Sequence, residues 1–168
     1  MNVTDILTDA LSRSTEVCRQ VLDGLDPATA NTAPAPGTNS ISWLVWHTAR
    51  QQDAQIAALA GTEQVWFTGG WCDRFGLDLP ADSMGYGHSA EEAARVRVDD
   101  VGLLLGYLED AARASADYVA GLTEADLDEV IDREWDPPVT RGVRLVSIAD
   151  DAAQHAGQAA YLRGFPAS

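Results

Sequence analysis

The sequence predicts an all-α fold: a four-helix bundle with a long loop insertion and short extra helices, built as one domain over residues 1–168. Three observations lead there. Four long helical segments stand out, and the first and third keep apolar side chains at the three-four spacing of one helix face. The stretches between them collect Pro, Gly and small polar residues. No alternating apolar run finds a partner of its own kind, so strand signals are scarce.

The first long helix falls at about 4–25, with Ile6, Leu7, Ala10, Leu11, Val17, Cys18, Val21, Leu22 and Leu25 on its stripe. Gly24 and Pro27 bracket its end. "ATANTAPAPGTNS" at 28–40 reads as a loop or crossover, and Asn39 or Ser40 can accept from the free N–H groups of the next helix. That second helix, "ISWLVWHTARQQDAQIAALA", runs over about 41–60 and Gly61 stops it. Residues 62–88 then mix five glycines, a proline and four Trp or Phe rings. Ordered loops of this length are unusual and often functional.

Ser89, with Glu91 and Glu92 behind it, starts a short helix at about 90–97. The third long helix follows Asp99 or Asp100, with Val101, Leu104, Leu105, Leu108, Ala111, Ala112, Tyr118 and Val119 on one stripe. "LTEADLDEV" at 122–130 reads as one more short, capped helix. Pro137, Pro138 and Gly142 break the chain before the last long helix at about 143–163.

Composition narrows the function. The net charge is −15, and all 11 basic residues are Arg. Phosphate backbones and anionic membrane surfaces attract basic proteins, so this balance argues against both nucleic acid and membrane partners. No apolar run approaches the ~20 residues that span a bilayer. The opening "MNVTDILTDA" lacks the layout of a secretory signal, which points to a soluble, cytoplasmic protein. Cys18 and Cys72 have no zinc-ribbon or CxxC spacing and predict no disulfide. Cys18 lies on an apolar stripe and reads as core; Cys72, in "GGWCDRFG", reads as an ordinary loop thiol.

Three residues carry the chemistry. His47 sits mid-helix in "SWLVWHTAR", where an imidazole must find a partner, because an unpaired buried polar group costs roughly 1–3 kcal/mol. Asp151 and His155, in "DDAAQHAGQ", are four residues apart and therefore one helical turn above each other. If the second and fourth long helices are neighbours, His47 completes a set of two imidazoles and one carboxylate. Three protein ligands leave positions open for water or substrate, as a catalytic metal requires. The spacing is equally that of a solvated i,i+4 contact worth a few tenths of a kcal/mol. Asp150 points about 100° away and is the poorer ligand.

"SISWLVWHTARQQ" followed far downstream by "SIADDAAQHAGQAAYLRG" resembles the DinB-like family of four-helix-bundle metalloproteins. It is most similar to the branch that includes mycothiol-dependent maleylpyruvate isomerase and related thiol transferases of actinobacteria. The resemblance spans nearly the whole chain. It implies that a divalent metal, zinc before nickel, is held by His47, Asp151 and His155. It further implies that mycothiol binds as thiolate at the open position and attacks an electrophile, giving a metal-dependent thiol transferase or isomerase-like enzyme. The relatives more often carry Glu or His where this chain has Asp151, and Asp reaches about one methylene less far. A DinB-like bundle that binds metal without catalysis, in a stress response, is the alternative. A homodimer is compatible with either.

For the thiol, Trp43, Trp46, Arg50 and Gln158 are the nearest candidates to supply hydrogen bonds or an aromatic wall; helical spacing makes the two Trp equally plain core residues. His88, in "GYGHSAEE", is a loop histidine unless the 62–88 loop folds over the bundle mouth. Arg74, Arg141 or Arg144 would hold an anionic substrate, or pair with the abundant acids.

Overall fold

The computed structural model describes residues 2–164. Its four long helices are α1 (Val3–Leu22), α3 (Ile41–Ala60), α7 (Val101–Ala120) and α9 (Arg141–Arg163). Between them lie α2 (Pro27–Ala30), α4 (Val65–Thr68), α5 (Trp71–Phe75), α6 (Ala90–Ala93), α8 (Glu124–Leu127), β1 (Val130–Asp132) and β2 (Val139–Thr140). α3 packs on α7 and α9, and α1 packs on the same two, so α1 and α3 are diagonal. The 28–40 stretch is therefore a crossover, and the predicted contact between the second and fourth long helices forms.

The signals that start and stop these helices act as local chemistry requires. Ser40 Oγ accepts from Trp43 N–H at the start of α3, and Gly61 closes it in the left-handed region at φ 67°. Ser89 and Glu92 form a capping box on α6, and Thr123 and Asp126 form one on α8. Both helices are shorter than the sequence predicts.

Two features escaped the sequence reading. The 62–88 stretch holds the single-turn helices α4 and α5, which have no stability alone. They form because the buried Asp53 carboxylate accepts from the backbone N–H groups of Val65 and Trp66, and because Trp66, Trp71 and Phe75 are buried against Tyr107 of α7. Gly106 makes this possible: a Cβ there would lie 2.7 Å from the Trp71 ring. The second feature is the antiparallel ribbon of β1 and β2, pairing Val130 with Thr140 and Asp132 with Val139. Its strands are too short to show an alternating pattern.

The loop insertion explains an oddity of α3. Every residue from Ile41 to Asp53 is buried, including His47, Arg50 and Asp53. α7 and α9 cover part of the helix, and the 62–88 segment folds over it. α9 presents Leu145, Ile148, Ala152, Ala156 and Ala159 inward. Its alanines let the two backbones come close beside the site. Cys18 is fully buried and its thiol is pushed by burial up to about 12; Cys72 is half-buried.

Candidate metal centre

His47, Asp151 and His155 come together. Their potential ligand atoms all lie within 4.8 Å of one another, and among the described residues this is the cluster that could hold a metal ion. Asp151 bridges the two imidazoles: Oδ1 is 3.1 Å from His155 Nε2 and Oδ2 is 3.7 Å from His47 Nε2. The short Asp151 side chain meets both rings because α9 packs against α3. Asp150 turns aside and accepts from the Gln154 amide at 2.8 Å.

Each imidazole is oriented from behind. His47 Nδ1 lies 2.5 Å from the Met84 carbonyl oxygen. A carbonyl can only accept, so the proton sits on Nδ1 and the Nε2 lone pair faces Asp151. His155 Nδ1 lies 3.2 Å from Gln158 Oε1, which leaves its Nε2 to the same centre. Such outer hydrogen bonds fix the tautomer and raise ligand basicity. Trp43 stacks on His47, with centroids 4.6 Å apart, and meets His155 edge-on at 5.8 Å. It is the aromatic wall behind both rings.

Burial and the pairing of Asp151 with His155 set the charge states. Burial holds the His47 imidazole below its usual pKa, against the opposing pull of the Met84 carbonyl. Burial would raise the Asp151 carboxyl, but the hydrogen bond and charge of His155, with His47, carry it below the usual value. The Asp151 hydrogen bond raises His155. Ligands around a four-coordinate zinc at ~2.1 Å stand about 3.4 Å apart, so small side-chain rotations would seat an ion here. Two imidazoles and a carboxylate suit zinc or nickel and leave positions open.

The Met84 carbonyl reaches His47 through a tight turn. Gly85 has φ +93°, and a Cβ on it would meet His47 Nδ1 at 2.6 Å. Only glycine fits that approach. His88 anchors the same turn. Its Nδ1 accepts from Trp43 Nε1–H at 3.2 Å, so Nε2 carries the proton and donates to Ser83 Oγ at 2.8 Å. His88 is therefore a strut between loop and helix.

The other candidates separate. Gln158 touches the centre as described. Trp46 is core, against Trp66 and His88. Arg50 is not a thiol-binding donor: it is fully buried, giving its protons to Ser83 O, Gln64 Oε1 and Tyr107 Oη. Arg74 stacks on Trp71, and Arg141 is committed to Glu129 and Tyr118. Arg144 alone of the three lines the cavity over the centre.

That cavity measures about 720 Å³, with His47 and Asp151 in its wall. Sequence reasoning missed most of its lining: Gln51, Met84, Tyr86, Trp135, Val143 and Gln154 among others. The one available signal was "GYG" at 85–87, a bulky side chain between two glycines that both take positive φ.

Among solved structures, the chain is similar to a conserved protein of a locus from Enterococcus faecalis, at 44% identity and TM-score 0.92, over 97% of this chain and 96% of that one. None of the curated proteins compared with it matches. The mycothiol-S-transferase family model matches residues 6–165. That match spans nearly the whole chain, so the chain belongs to the mycothiol-S-transferase family, a DinB-like family.

Proposed function

We propose that this protein is a divalent-metal-dependent thiol transferase or isomerase-like enzyme, with His47, Asp151 and His155 as ligands, zinc as the ion before nickel, and mycothiol as the thiol. The observation that carries the reading is the convergence of His47, Asp151 and His155, two of which, His47 and Asp151, line an open cavity large enough for a substrate. A cation held there lowers the pKa of a bound thiol, supplying thiolate at neutral pH.

The chain's own residues do the rest. The Met84 carbonyl and Gln158 aim the imidazoles, and Trp43 closes their rear against water. Gln55 lines the cavity with its Nε2 donating to Gln51 Oε1 at 2.8 Å, and its own Oε1 offers an acceptor to a polyhydroxylated thiol. All three ligands come from one chain, so the centre requires no second copy. Among the described residues no helix is long and apolar enough to cross a membrane, and we assign the protein to the cytoplasm, where a small-molecule thiol is kept reduced.

The test is metal content by mass spectrometry on untagged protein, beside His155→Ala. Near one equivalent of metal, lost in the variant, with mycothiol-dependent conjugation of an electrophile, is the expected result. Metal without thiol chemistry would leave a metal-binding bundle. No metal in either protein after zinc is added would overturn the proposal.

A further inference from the structure

We infer that the cavity over the centre takes a flat, ring-bearing electrophile, its ring packed on Trp135 and Tyr86 and an acceptor group turned to Arg144. The electrophile's role rests on the thiol transferase reading; the ring site itself does not.

Four of the five tryptophans, Trp43, Trp46, Trp66 and Trp71, are at most 6% exposed. Trp135 is 65% exposed and Tyr86 is 91% exposed. Aromatic side chains have 150–250 Å² to bury, so two left in water gain little from folding. Both line the same cavity as His47 and Asp151. Each stands on a fixed support: Trp135 in the 133–138 turn closed by β1 and β2, Tyr86 between Gly85 and Gly87 in the turn that delivers Met84. The exposed Tyr161 lies outside that lining.

The cavity lining carries two chemistries. Gln55, Ser147, Asp150 and Gln154 are polar members that suit the polyol thiol. Met84, Tyr86, Trp135, Val139 and Val143 are the apolar members. Arg144 lines the same cavity and is 3.4 Å from Asp132, a contact that engages one of its two terminal amino groups. A planar guanidinium keeps donors for a nitro or carboxylate group. With 1-chloro-2,4-dinitrobenzene as probe, the thiolate sulfur forms a bond to the ring carbon. Chloride leaves with the C–Cl pair, and the thiol proton goes to solvent.

The experiment has two arms. Calorimetry measures binding of the unreactive ring 2,4-dinitroaniline to metal-free protein, for wild type, Trp135→Ala, Tyr86→Ala and Tyr161→Ala. Substituting exposed residues leaves the fold intact. We expect about tenfold weaker binding for Trp135→Ala and a smaller loss for Tyr86→Ala, with Tyr161→Ala unchanged. Steady-state kinetics on the zinc protein then compare 1-chloro-2,4-dinitrobenzene with iodoacetamide, which has no ring. Trp135→Ala should raise KM about tenfold for the first only, with KM for the thiol unchanged.

Equal dinitroaniline binding by wild type and Trp135→Ala would overturn the inference while leaving the metal reading intact. A raised KM for the thiol alone would overturn it by assigning the aromatics to the sugar. Dissociation of a wild-type dimer by Trp135→Ala, without ring binding, would assign them to an interface. Trp135-dependent ring binding with no metal or thiol turnover would uphold the ring site and remove the transferase reading.

Discussion

His47 and Arg50 stand three residues apart on α3, both buried, and the fold treats them in opposite ways. Arg50 is enclosed by acceptors and lies 3.7 Å from Asp53, which in turn accepts from Val65, Trp66 and Tyr107. Every partner is internal, and the network ties the 62–88 segment to the bundle. His47 is fixed on one nitrogen by Met84, while its other nitrogen faces a half-exposed carboxylate and a cavity. A polar cluster that satisfies itself holds structure together. One that orients its lone pairs toward a space and stops there is built to receive something. The two are joined, because Arg50 grips Ser83 and Asp82 just before the chain presents Met84.

The contrast can be broken from the Arg50 side. Replacing Arg50 with Met strands a buried carboxylate and should destabilise the fold by about 3–5 kcal/mol in denaturant unfolding. A loss below about 1 kcal/mol would show that the network is not what holds the loop.

Gly85→Ala is the next largest effect. Both the positive φ and the contact with His47 oppose a Cβ, so stability should fall by about 1–3 kcal/mol, with weaker zinc binding. Gly87→Ala has the φ but open space around it, and its zinc affinity should stay near wild type. Equal zinc affinity for the two variants would remove the Met84 turn from the centre.

Gln158→Leu sharpens the comparison from the other side. Losing the partner of His155 Nδ1 should weaken zinc binding about 10–100-fold, while stability moves by under ~0.5 kcal/mol. A stability loss with unchanged metal affinity would make Gln158 a structural residue like Arg50.

The smallest effect is a pH dependence of the metal-free protein. His155 has a raised folded-state pKa, so its pairing with Asp151 adds stability fully below the unfolded value of about 6.5, and that gain is lost as pH rises through the folded value. Asp151 is lowered, and its share fades only as pH falls well into the acid range. His155→Ala should therefore cost more at pH 5.5 than at pH 8, by well under 1 kcal/mol because the pair is partly solvated. A larger cost at pH 8 would contradict this pairing.

Much of this arrangement was legible in advance. The first and third long helices follow from stripe periodicity, and Ser40, Gly61 and Ser89 act as their types require. The convergence of His47 with Asp151 and His155 needed one assumption, that α3 and α9 are neighbours, which holds. What stayed hidden depends on contacts distant in sequence. α4 is capped by Asp53 from another helix, the His47 tautomer is set by a backbone carbonyl 37 residues away, and Trp135 reaches the cavity on a ribbon with too few residues to show its period. Arg50 misled because an arginine one turn from His47 looks the same in sequence whether it faces a cavity or a core.

The burial of Cys18 has a chemical corollary for a protein that would handle electrophiles. The sequence offers no lysine amine to be alkylated. Of its two thiols, Cys18 is out of reach and almost wholly protonated at neutral pH. That leaves Cys72, outside the cavity lining, as the one cysteine open to self-modification. It is equally a ready single-site handle for a thiol-directed dye on the unaltered chain.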